Sequence, residues 1–156
     1  MSVSQYPGLN NGENATYSEG FFFGYRWYDK HKVAPAFPFG HGLTYGAFTY
    51  SGLKVAGRAI SFTVARTKGS AANSCDTPQV YFSYPAAATD PRVPAKVLRH
   101  FEKVCADSQV VTYTFSDRDV SNWSVTGQKW AVTSGTFGVS VGSSSQDIRL
   151  KGSFVM

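Results

Sequence analysis

From about Phe48 onward, apolar and polar side chains alternate with a period of two, the spacing of strands that turn one face to a core and the other to water. The alternation predicts strands near 48–55, 59–66, 78–84, 97–104, 109–116, 136–142 and 147–155. The runs AISFTV, QVYFSY and QVVTYTF are dominated by β-branched and aromatic residues, which suit a pleated surface. Seven short strands separated by turns predict an all-β fold, a β-sandwich. The breaks are legible as well. Residues 68–74 form a polar loop, and residues 85–94 carry three prolines that exclude a central strand. Residues 116–121 have room for one helical turn, with Ser116 or Asp117 available to cap its free amides. No segment shows a sustained helical period, and there is no internal repeat.

The first part of the chain behaves differently. Twelve of the twenty-four aromatic residues fall between Tyr17 and Tyr50, in a stretch so rich in glycine and proline that it cannot bury them in a compact unit of its own. The organisation expected is an extended, aromatic-rich N-terminal arm over residues 1–45, followed by a sandwich over 46–156. Phe21, Phe22, Phe23, Tyr25, Trp27, Tyr28, Phe37, Phe39 and Tyr45 all precede the first strand pair. Leaving such rings in water forgoes on the order of 1.5–3 kcal/mol each, so the arm needs a surface to lie on.

Composition narrows the function. The formal net charge is +5, yet lysines and arginines are scattered and never form a run, so no nucleic-acid partner is expected. No window holds the roughly twenty apolar residues of a membrane-spanning helix, so no membrane partner is expected either. Met1 to Gln5 lacks the basic and apolar regions of a signal peptide, so an exported protein is expected to have had its leader removed or replaced. The first reading of Cys75 and Cys105 is a single disulfide, and free buried thiols are the second. The sequons at Asn14 and Asn122 are candidate glycosylation sites and agree with a secreted, extracellular address.

Candidate chemistry is sparse. Glu19, Asp29, Glu102, Asp117, Asp119 and Asp147 are spread over strand ends and turns, where carboxylates usually serve as solvated or capping groups, so no catalytic pair is expected. His31, His41 and His100 lie outside any nucleophile motif. His41, between Gly40 and Gly42, reads as a turn residue pressed against a partner. No ligand pair has metal spacing and no glycine-rich phosphate cradle precedes a helix, so neither metal nor cofactor is expected. Trp123 and Trp130 bracket a segment that can offer a flat stacking face to sugars or polyphenols, although covering the sandwich core is the more ordinary role for such a pair.

Several collinear blocks then point to a family: YSEG, GYRWYD, FPFGHGLTY, LRHFEKV and VGSSSQDIRL. Together they resemble the carboxy-terminal part of family 3 glycoside hydrolases, the β-glucosidases and β-xylosidases. The resemblance implies a fibronectin type III-like, immunoglobulin-like sandwich from about residue 46, preceded by the linker that packs on the catalytic domains of those enzymes. It also implies no catalysis here, because the nucleophile and acid/base residues of the family belong to upstream domains. Two departures stand out: RTKG where the family usually has an Asn-Thr-Gly turn, and two cysteines that look like additions. A bridge closing about thirty residues stabilises by roughly 3–4 kcal/mol in the chain-entropy model, which suggests a sandwich adapted to stand alone.

Three functional expectations follow. The first is a non-catalytic extracellular structural protein that binds copies of itself, in head-to-tail filaments if the contact does not close a ring, through Phe21, Phe22, Phe23, Tyr25, Trp27, Tyr28, Phe37, Phe39, His41 and Tyr45. The second is an accessory module that binds plant polysaccharide or lignin through aromatic faces, with a glycan as partner. The third is a non-catalytic fragment of a family 3 β-glucosidase.

Overall fold

The computed structural model describes residues 19–85 and 92–156. The sequon at Asn14 and the first part of the arm lie outside the described residues. Strands β1 (Phe48–Ala56), β2 (Ala59–Arg66) and β5 (Ser108–Thr114) form one antiparallel sheet in the order β1-β2-β5. A second antiparallel sheet has the order β4-β3-β8-β9, built from β3 (Gln79–Ser83), β4 (Val97–Phe101), β8 (Thr136–Gly142) and β9 (Ile148–Val155). The two sheets face each other as an all-β sandwich.

The alternation seen in the sequence builds the core. In β2, Ile60, Phe62 and Val64 point inward and are buried, and Val80 and Phe82 of β3 meet them from the opposite sheet. Phe82 lies 5.2–6.5 Å from the rings of Phe115, Phe137 and Phe154. Phe137 and Phe154 are cross-strand partners and stack at 5.1 Å. Gly52, at φ 65°, occupies the bulge between Ser51 and Lys54 that breaks the register of β1, a backbone conformation glycine adopts at little cost.

Cys75 and Cys105 are bonded, with Cα atoms 4.2 Å apart. The reason is local pairing: Asp76 and Val104 exchange two backbone hydrogen bonds of 2.8 Å, which makes Cys75 and Cys105 the neighbouring close pair of the antiparallel ladder. β4 therefore ends at Phe101 rather than 104, and the chain rejoins β-pairing only at this bridge.

Two features depart from the expected element list, the arm helix and the extra hairpin, whereas the helical turn expected over 116–121 is present. The arm is not extended throughout: it contains a short helix, α1 (Tyr25–His31), which ends at Lys32 in the left-handed conformation. Residues 117–120 form a 3-10 turn in which Asp119 accepts from the Ser116 amide and hydroxyl, both at 2.8 Å. The strands number nine among the described residues, because β6 (Ser121–Ser124) and β7 (Lys129–Val132) make a separate hairpin in which Trp123 faces Trp130.

Candidate functional site

β3 is buried on both faces, and the arm is the cause. Its inner side chains Val80 and Phe82 enter the core, whereas Gln79 and Tyr81 project to the outer face and are still buried. Tyr25 of α1 covers Tyr81, with the rings 5.7 Å apart, and Gly40 of the arm lies against Gln79. Burial pushes the Tyr81 phenol above its ordinary range, and Tyr25 and Asp29 add to the shift. The Tyr25 hydroxyl accepts the Leu98 amide of β4 at 2.9 Å. One helical turn on, Asp29 accepts from Lys96 Nζ at 2.7 Å and from Gln146 Nε2 at 3.0 Å. Tyr25 and Asp29 share one face because they are four residues apart on a helix. Phe22 is buried beneath Lys30, whose ammonium lies 3.6 Å from the ring centroid.

Past the helix, the 38–44 segment is tied down by the Ser145 amide, which donates to the Phe39 carbonyl at 2.8 Å. Gly40 has φ 86°, and a Cβ there would overlap the Gln79 side chain. The glycine is needed on both counts. Between this segment, residues 75–77 and the β8–β9 turn lies a groove of about 660 Å³, lined in part by His41, Leu43, Thr44, Thr77, Asp147 and Arg149.

The groove is electrostatically organised. Asp147 accepts from Arg149 at 2.7 Å and from the Ser143 hydroxyl at 2.6 Å, and these bonds hold its carboxyl below the ordinary value. Arg149 also donates to the Phe48 carbonyl at 2.8 Å and lies over the Tyr50 ring. The Tyr50 hydroxyl donates to Asp76 at 2.8 Å, and burial followed by this carboxylate pushes the phenol well up. Asp29, Asp76 and Asp147 each accept from fixed donors, so the arrangement suits recognition and not proton transfer.

The rings predicted to meet a partner divide into two sets. Tyr25 is anchored on its own sandwich, Phe22 is buried against Lys30 of the arm, and Trp27 and Tyr28 are half-buried, with Trp27 packed 4.4 Å from the His31 ring. Phe21, Phe23, Phe37, Phe39, His41 and Tyr45 stay exposed, and beside the groove Leu43 and Tyr45 are 95% and 93% exposed. The arm thus finds part of its surface on its own domain, and the need for an outside surface applies to its outer rings alone. Trp123 and Trp130 do not cover the core. They pack on each other at 5.5 Å and remain 46% and 48% exposed. Asn122 is exposed on the opposite face of the same hairpin. Among the described residues no group of three or more His, Cys, Asp or Glu gathers in a metal-holding cluster, and no helix is long and apolar enough to cross a membrane.

Sequence reasoning missed Lys96, Gln146 and the structural role of Asp29. The available signal was the Tyr25/Asp29 spacing, which has meaning only once a helix is assigned.

Residues 76–145 match the model of the fibronectin type III-like domain. Among curated proteins, the chain is 37% identical to β-glucosidase cel3A of Pyricularia oryzae over 96% of its own length and 23% of the relative's. It is 35% identical to a probable β-glucosidase D of Aspergillus niger over 90% of its length and 22% of that protein. In structure it is similar to β-glucosidase 3B of Thermotoga neapolitana, with a TM-score of 0.82 and 33% identity over 97% of this chain and 22% of that one. The chain spans less than a quarter of the length of each of these three relatives.

Proposed function

Taking as premise that the chain is the linker and fibronectin type III-like part of a family 3 glycoside hydrolase, matched to none of its catalytic domains, we propose that it is a docking module for them. The observation that carries this reading is the two-sidedness of the arm. Tyr25 and Asp29 lock one side to the sandwich, while Phe21, Phe23, Phe37, Leu43 and Tyr45 stand exposed on the other, around an ordered polar groove. A rigidly held arm with rings turned outward is preorganised to be covered by a second surface. An oxidising, secreted setting belongs to this reading and is supported by the disulfide and by the exposed sequon at Asn122.

The test is co-expression with a family 3 β-glucosidase trimmed of its own corresponding part. The expected result is that the two co-purify and that Phe37→Ser with Tyr45→Ser separates them. The same rings would serve self-association, the competing sequence-based expectation. Light scattering on the chain alone decides: concentration-dependent dimers or filaments, together with no capture of the trimmed enzyme, would replace docking with self-assembly.

A further inference from the structure

The β6–β7 hairpin lies outside the docking surface. The groove is bordered by the Gly142 end of β8, whereas the hairpin leaves the sandwich beside Thr136, where the Thr133 amide donates to the Val120 carbonyl at 2.9 Å. Arm and hairpin therefore occupy opposite poles. The hairpin pairs Asn122 with Ala131 and Trp123 with Trp130, so alternation puts Trp123, Trp130 and Val132 on one face and Asn122, Ser124, Lys129 and Ala131 on the other. Val125 in the turn extends the apolar surface, and all four large residues are at least 44% exposed.

What covers this face can be argued from size and charge. Four half-exposed side chains offer on the order of 400 Å², about half of what each partner gives to a stable protein interface. The charge at the indole face is basic: the Arg118 guanidinium lies over the Trp130 ring, while Lys129 stands on the opposite face of the hairpin. The neighbouring acids are engaged elsewhere, Asp117 with Arg58 at 2.5 Å and Asp119 with Ser116. We propose that the hairpin binds acidic polysaccharide. The C–H faces of pyranose rings lie on the indoles, and uronate carboxylates meet Arg118. A glycan on Asn122 would project from the opposite face and leave the indoles open.

Affinity electrophoresis of the 156-residue chain tests this, in gels holding polygalacturonate, glucuronoxylan or neutral cereal β-glucan, beside a pull-down on lignin particles. Retardation by the two uronate polymers is expected, weakened by salt and by Arg118→Ala, and reduced about tenfold by Trp123→Ala or Trp130→Ala. Because either alanine can loosen the hairpin, Trp123→Phe and Trp130→Phe accompany them. These are expected to keep most of the binding while abolishing the far-ultraviolet exciton signal of the indole pair. Phe37→Ser, which breaks the docking surface instead, is expected to leave retardation unchanged. No retardation, equal retardation by neutral glucan, binding to lignin alone, or indifference to both tryptophans overturns the proposal.

Discussion

Phe82 and Phe37 are the same side chain in opposite circumstances. Phe82 is fully buried, with the Phe115 and Phe154 rings at 5.4 and 5.2 Å, whereas Phe37 is 75% exposed and its ring contact is His41 at 5.1 Å. Both regions are rich in aromatics, so ring content does not decide which one acquires a core. Alternation does. In β3 every second residue returns to the same face, and the opposing sheet covers that face continuously. In the arm three phenylalanines stand side by side at positions 21–23, and successive rings diverge, so only Phe22 is buried.

The strongest way to break this contrast is Phe82→Ala, expected to cost about 3–5 kcal/mol in chemical denaturation. A loss below about 1 kcal/mol would show that the core tolerates a void at its centre. Next comes the bridge. Replacing Cys75 and Cys105 with serine is expected to lower stability by about 2–4 kcal/mol, for a sequence separation of 30. An unchanged midpoint would mean that the Asp76–Val104 pair holds the loops without it.

Asp29→Asn probes the seam between the two regions. It leaves Lys96 without its carboxylate in a largely covered site at the edge of the sandwich, and is expected to free the arm while altering global unfolding little. Faster exchange of the Leu98 amide and faster proteolysis within 19–45 are the readouts, and a full loss of cooperative unfolding would make arm and sandwich one unit. A pH titration is gentler still. Because Asp147 has a lowered carboxyl pKa in the folded state, its contribution is complete above the ordinary carboxylate value and is lost as pH falls through the folded one. Stability is thus expected to fall below about pH 4, less steeply in Asp147→Asn, and parallel curves would deny the carboxylate that role. The smallest effect is expected from Phe37→Ala, within about 0.5 kcal/mol, since nothing is unpacked.

Much of the sandwich was legible because a period of two survives in a single sequence: seven predicted strands fall on β1–β5, β8 and β9, and β4 is shorter than expected because pairing lapses after Phe101. The β6–β7 hairpin was not, since two strands of four residues give too few repeats to establish a period. α1 escaped for a different reason. Seven residues are too few for a helix to hold by propensity, and what fixes it is contact with Tyr81, Lys96 and Leu98, far away along the chain. The groove was equally hidden, because it joins three segments whose closeness only the folded chain reveals.

The Tyr25 hydroxyl on the Leu98 amide has a consequence of its own. β4 is the outermost strand of its sheet, and a border strand with open amides is a template on which other polypeptides can zip. By occupying that amide, the phenol acts as a stopper. Cutting the protein back to its tidy sandwich would pull the stopper out, and the shortened molecule is the one expected to cloud on storage.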